Sequence, residues 1–191
     1  MNWPVLAIFA YAMIGLELGL KPALALESSG IAPSFVFPLI AFVALHGPSM
    51  PVLWFALAMG AILDLTDPDV SAGGRFEITI LGPMALGCLA AAYTTLTIRG
   101  LLVRRNPITL IVLAVLVSLI ANLLAVFMLS FRSLYDDALV WQPTPELIRR
   151  VISSLYTAAT AAALAFILMP LSGLFGFHQE SHGRRMARRS Y

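Results

Sequence analysis

Three aspartates, Asp64, Asp67 and Asp69, close the stretch GAILDLTDPD at residues 60–69, at the end of a strongly apolar run. Carboxylates spaced around a turn at Pro68 suit a hard cation such as Mg2+ or Ca2+. The same residues suit a helix end at a membrane surface, or the edge of a partner-binding site. A calcium loop is not completed, because the residues that follow do not supply its later ligands. The other chemistry-bearing residues are scattered. Asp136 and Asp137 have no second acidic motif, and His178 and His182 stand four apart in a polar, arginine-rich tail. His46 is alone between two apolar runs. Cys88, the single cysteine, lies in an apolar run and reads as a small buried hydrophobe. There is no Ser-His-Asp order, phosphate-binding glycine loop or zinc-spaced ligand set. The expectation is a non-enzyme with no catalytic, metal or cofactor site and no nucleic-acid partner.

The elements that must position these residues belong to a membrane. The 191 residues are 60% hydrophobic and 12% charged, with a mean hydropathy of +0.89. A soluble domain carries about a quarter charged residues, so half that fraction excludes an ordinary aqueous fold. A bilayer-crossing helix takes roughly 20 apolar residues, which leaves room for about six crossings and no separate soluble domain. Enzymes that transfer alcohols in phospholipid synthesis also use intramembrane aspartates. Their pattern opens with Asp-Gly and an Ala-Arg pair, and neither precedes Asp64.

The expected fold is an all-α, compact bundle of six transmembrane helices over residues 1–176, followed by a basic tail at 177–191. The approximate spans are 3–26, 33–46, 51–65, 78–98, 107–131 and 147–170. The first reads as an uncleaved helix, since it lacks the basic start of a signal peptide although Ala23-Leu24-Ala25 resembles a cleavage site. Within it Glu17 and Lys21 are spaced for an ion pair, either functional or interfacial, with the lysine snorkelling to the surface. The second and third runs are short, so they are tilted, re-entrant or extended by their flanks. In the fourth, Gly82 and Pro83 predict a kink or a late helix start. Pro107 suits the first turn of the fifth.

Charge sets the direction. Arg99, Arg104, Arg105, Arg184, Arg185, Arg188 and Arg189 fall on one side of this arrangement, and most of the carboxylates fall on the other. The positive-inside rule makes the arginine-rich side cytoplasmic, with both termini inside and the aspartates of 64–69 outside. A bacterial inner membrane is the simplest host. The basic tail is placed to meet anionic lipid, at about 1 kcal/mol per arginine, or an acidic cytoplasmic partner.

Small residues offer the packing surfaces. Ser153, Thr157 and Ala161 repeat every four residues, with Ser154, Ala158 and Ala162 beside them. Such spacing permits close helix contact in lipid. Ala85, Gly87 and Ala90–Ala92 form a second small-residue face, and Asn122 is placed to hydrogen-bond inside the bundle or across an interface.

GAILDL at the end of the third run, ILGPMALGCLAAAY after a loop, and the basic turn RGLLVRR together resemble the bacterial rod shape-determining MreD family. Gly60 and Asp64 match its Gly-x-x-x-Asp element, Leu81 and Gly82 its Leu-Gly-rich helix, and Arg99, Arg104 and Arg105 its basic turn. The loop TDPDVSAGGRFE is longer and more acidic than that pattern. The likeness is motif-like over 51–105 and topological elsewhere. It implies a non-catalytic scaffold of the elongation complex that guides lateral peptidoglycan synthesis. The implied partners are MreC, the MreB filaments, and the RodA-type glycosyltransferase with its transpeptidase. The family also resembles the substrate-binding subunits of energy-coupling-factor vitamin transporters, which implies an outward-opening pocket. The alternative function is therefore small-molecule binding, with Trp54, Glu77, Asn122 and Trp141 as candidate ligands. A third is a lipid-handling enzyme using Asp64.

Overall fold

The computed structural model describes residues 2–26, 30–66, 70–72, 76–78, 80–102, 106–135, 143–171 and 173–176. Among them are six α-helices: α1 (Trp3–Leu24), α2 (Val36–His46), α3 (Ser49–Thr66), α4 (Pro83–Ile98), α5 (Pro107–Arg132) and α6 (Pro143–Leu171). Between α3 and α4, β1 (Val70–Ala72) pairs antiparallel with β2 (Phe76–Ile78), placing Val70 opposite Ile78. This hairpin marks one end of the bundle, called here the hairpin face. The helices α1, α3, α4, α5 and α6 are long and apolar enough to cross a bilayer. The chain is a multi-pass membrane protein.

The short second run does not become a sixth spanning helix. At about 1.5 Å per residue, the eleven residues of α2 cover only about 16 Å. The rest of the traverse is extended chain: Ala32–Phe35 are buried and lead into α2 from the hairpin face. Six extended residues from Gly30 add up to about 20 Å, so segment and helix together match a bilayer core. Irregular backbone at that depth is tolerated only where protein surrounds it. Ten of the eleven α2 residues are buried, so this helix is the axis on which the others pack rather than an amphipathic one. Leu39, Ile40, Phe42 and Val43 are fully enclosed.

The third run is extended by its flanks to 49–66. The fourth starts late: its expected opening residue, Ile78, closes the hairpin, and helix begins at Pro83. Proline lacks the N–H that a first-turn position leaves unbonded anyway. The sixth begins at Pro143, before the expected 147, with Glu146 in the first turn, where a carboxylate favours the helix dipole.

Contacts between α3, α4 and α5 are made backbone to backbone. A Cβ on Gly60 would lie 2.6 Å from the Cα of Ala85 and 2.7 Å from the Met84 carbonyl oxygen, and one on Gly87 would lie 2.6 Å from the Ala121 carbonyl oxygen. At the opposite end, the segment after α6 returns under α1. The Asn2 amide donates to the Phe175 carbonyl at 2.9 Å, and the buried Phe175 ring meets Phe9 and Phe42.

Candidate functional site

Asp64 sits in the last turn of α3, 8% exposed, and its carboxylate faces the start of α4. Its Oδ2 accepts the amide N–H of Gly82 at 2.9 Å and of Ala85 at 3.0 Å, and its Oδ1 accepts that of Met84 at 2.9 Å. A helix leaves its first amides without internal partners, and a cap is normally a side chain just ahead of the helix. Gly82 holds that position with φ of +129°, a conformation that favours glycine, and it has no side chain to offer. Asp64 supplies the cap from the neighbouring helix. Gly60, one turn earlier, removes the side chain that would hold α4 away.

The same device recurs at α2. Glu17 of α1 is 5% exposed; its Oε2 accepts the Phe35 amide at 2.6 Å and the Ser34 hydroxyl at 3.0 Å. The Ser34 amide donates to Thr157 Oγ1 at 3.1 Å, and the Thr160 hydroxyl donates to the Ser34 carbonyl at 2.8 Å. At the other end of α2, Arg99 Nη1 donates to the carbonyls of Gly47 at 2.5 Å and Ala44 at 3.4 Å. An anion at the N-terminus and a cation at the C-terminus both complement the dipole of this buried half-length helix. Lys21 Nζ stands 3.7 Å from Glu17 Oε1. The Glu17 carboxylate is thus a deep helix cap, and the interfacial-pair reading describes only Lys21.

Between α5 and α6 runs a buried polar chain. The Ser118 hydroxyl and the Asn122 amide donate to Ser154 Oγ at 2.9 and 3.0 Å, and Ser154 donates to the Arg150 carbonyl at 2.8 Å. Arg150, 6% exposed, donates through Nη1 to Asn122 Oδ1 at 3.3 Å and through Nε to Glu146 Oε1 at 2.7 Å. Arg149 Nη2 reaches the same Glu146 oxygen at 2.6 Å. Ser118, Asn122, Arg150 and Ser154 are thus engaged with one another, as a low-dielectric interior requires.

These three constellations surround one cavity of about 140 Å³ on the hairpin face, whose wall includes Glu17, Lys21, Asp64, Asn122, Arg149 and Arg150. Ser153 and Thr157 line it as well. The small-residue face expected from Ser153, Thr157 and Ala161 is therefore divided: Thr157 and Ala161 are buried, while Ser153 is half-buried at the cavity wall. Trp54 is 67% exposed on the outside of the bundle and takes no part in the cavity. Asp67, Asp69, Arg104, Arg105, Asp136, Asp137, Trp141 and the tail histidines lie outside the described residues, as does the side chain of Glu77. Among the described residues no three His, Cys, Asp or Glu side chains gather as a metal-binding group.

Sequence reasoning did not assign Ser34, Ser118, Thr160, Arg149 or Arg150 to a site. The arginines had a signal: Glu146 lies three and four residues before them, on one helix face. The hairpin had one too, since Gly73-Gly74 between short β-prone runs is a hairpin turn signature.

No protein-family model, curated protein or solved structure matches this chain.

Proposed function

We propose that the protein is a non-catalytic membrane scaffold of the bacterial cell-wall elongation complex, of the MreD type. In this reading it lies in the inner membrane with both termini and the arginine-rich turns in the cytoplasm. The hairpin face then looks into the periplasm. The primary partner is MreC; MreB filaments and the RodA-type glycosyltransferase with its transpeptidase are further members of the assembly.

One observation carries the reading: residues that make the resemblance meet at a single joint. Gly60 touches the α4 backbone, Asp64 caps α4, and Gly82 is the position capped. A Gly-x-x-x-Asp element followed by Leu-Gly thus has a specific physical task, the docking of one membrane helix on the next. Asp64 acts on backbone amides, which speaks against a role as catalytic base or metal ligand. The polar cavity on the hairpin face, at about 140 Å³, is smaller than the roughly 300–1,000 Å³ usual for small-molecule sites. The larger groove of about 590 Å³ beside Leu86 and Tyr93 is almost wholly apolar. Neither combines the volume and the polar ligands of a vitamin site.

The test is affinity purification of the tagged, nanodisc-embedded protein, with mass spectrometry of both proteins and small molecules. Co-purification of MreC is the expected result. A stoichiometric organic ligand without wall-synthesis proteins would overturn the scaffold in favour of a binding subunit.

A further inference from the structure

We propose that the groove along the outer side of α4 holds one acyl chain of a membrane phospholipid. The proposal needs only the membrane-spanning helices and stands apart from the scaffold reading.

The groove lies between α3 and α5, encloses about 590 Å³ and is lined almost wholly by apolar atoms. Leu86, Ala90 and Tyr93 line it from α4, Leu53 from α3, and Phe127 and Met128 from α5. Spacings of four and three residues put Leu86, Ala90 and Tyr93 on one face of α4. Leu86 and Tyr93 are exposed and stand out from that face, and Ala90 between them leaves the hollow. Phe127, also exposed, forms the rim on α5.

Depth selects the occupant. A Cβ on Gly87 would lie 2.6 Å from the Ala121 carbonyl oxygen, so these two residues stand level. Met128 is seven residues beyond Ala121 toward the hairpin face, and Tyr93 is six residues beyond Gly87 the other way. At about 1.5 Å per residue the groove runs about 20 Å along the helices. Above it the α5 rim continues as a ladder of rings, with Phe127 stacked on Phe131 at 6.5 Å and Phe131 against Tyr135 at 5.5 Å. Tyrosine is enriched at the membrane surface, and Tyr135 ends this ladder. The opposite end of the groove stops at Tyr93, six residues before Arg99 and so about 9 Å short of it. In a hydrocarbon core about 30 Å thick, the groove covers the leaflet on the hairpin side and ends past the midplane. That is the reach of a lipid chain anchored at one surface, whereas a partner helix needs a face along the whole span. The lining does not suit a helix either. Close helix contact in lipid uses small residues at successive turns, and Ala90 has Leu86 one turn before it and Tyr93 one turn after. A flexible hydrocarbon chain fits such a slot, and Met128 can adapt its side chain to it.

Native mass spectrometry of the full chain, stripped of lipid in mild detergent and titrated with dioleoyl phosphatidylglycerol, counts bound lipid directly. Wild type is expected to take up one molecule per chain. Ala90→Phe fills the hollow and should raise the concentration for half-occupancy tenfold or more. Ala12→Phe adds the same ring to an exposed position on α1 and should stay within about twofold of wild type. Dihexanoyl phosphatidylglycerol carries the same headgroup on chains too short for the groove, and should bind at least tenfold more weakly. Each variant is checked for fold by circular dichroism, and Ala90→Leu, with the same expectation, decides the matter if Ala90→Phe does not fold. The proposal is overturned if no lipid binds, if the folded Ala90 variant loses less than tenfold, or if Ala12→Phe loses as much as Ala90→Phe. Equal binding of the short-chain lipid overturns it too, because the headgroup would then be what is recognised. So does a lipid-free dimer that Ala90→Phe disrupts, since the face would then join two copies of this chain.

Discussion

Asp64 and Glu17 perform one task in two different settings. Each is a carboxylate from one helix that closes the N-terminus of another, on the same face of the bundle. Around Asp64 the helices also meet through glycine, with α4 pressed onto Gly60 and α5 onto Gly87. Around Glu17 they do not. Only 17% of the apolar window of α1 is buried, against 50% for α5, and Gly15 and Gly19 have nothing within contact distance of where a Cβ would stand. Lipid is as apolar as leucine, so burial of apolar surface does not by itself attach one membrane helix to another. What attaches α3 to α4 is close backbone packing reinforced by a cap. What attaches α1 at the hairpin face is chiefly the cap. The difference predicts that removing each carboxylate has different consequences.

The largest effect is expected at Asp64. Asp64→Ala removes the acceptor from three amides at once, and a charge-assisted hydrogen bond contributes about 1.5–3 kcal/mol. Partial exposure of this helix end lets water recover some of that loss. A destabilisation of about 3 kcal/mol is expected in reversible unfolding in mixed micelles, with Asp64→Asn losing about half as much. If both variants unfold like wild type, the cap is not what holds the joint. Gly60→Ala comes next, at about 2 kcal/mol, because a methyl 2.6 Å from backbone forces the helices apart. Gly15→Ala is its control. The added methyl meets nothing there, so stability should stay level or rise by up to about 1 kcal/mol through helix propensity.

Glu17 should behave as a latch. Glu17→Ala removes two acceptor bonds, costing about 2 kcal/mol locally, while the tightly joined α3–α4–α5 core keeps its own stability. The informative readout is therefore local. Ala10 is buried on the inner side of α1, so thiol labelling of an Ala10→Cys reporter should accelerate when Glu17→Ala is added, with the global unfolding midpoint little changed. A proportional drop in the midpoint with no change in labelling would make α1 an integral part of the core and dissolve the comparison.

The two carboxylates were not equally legible in the sequence. Asp64 ends an apolar run four residues after a glycine, and that spacing alone places both on one helix face. Glu17 was legible as half of an ion pair with Lys21 four residues on, but its hydrogen-bond partners Ser34 and Phe35 belong to a segment whose depth no periodicity reveals. The run at 33–46 has no polar alternation, since α2 is enclosed on all sides, so its pattern cannot separate a short helix from a full span. Hydropathy therefore located the membrane segments well: five helices are long and apolar enough to cross, and the second run forms a shorter apolar helix. It also gave Arg149 and Arg150 no place in a site, because their convergence with Asn122 and Lys21 on one cavity is set by tertiary packing alone.

Lys21 gives the smallest effect and the sharpest control. Its nitrogen is 3.7 Å from the buried Glu17, and its own side chain is 30% exposed, so water screens the lysine end and the pair contributes as much as a surface ion pair, about 0.2–1 kcal/mol. Lys21→Gln should lower stability by about 0.5 kcal/mol and leave the labelling of the Ala10→Cys reporter unchanged, because the Glu17 hydrogen bonds to Ser34 and Phe35 persist without the lysine. A loss above about 1.5 kcal/mol, or accelerated labelling, would mean that the ion pair and not the helix cap closes α1 onto the bundle. The sequence alone suggests that ion pair, and the geometry of Glu17 argues against it.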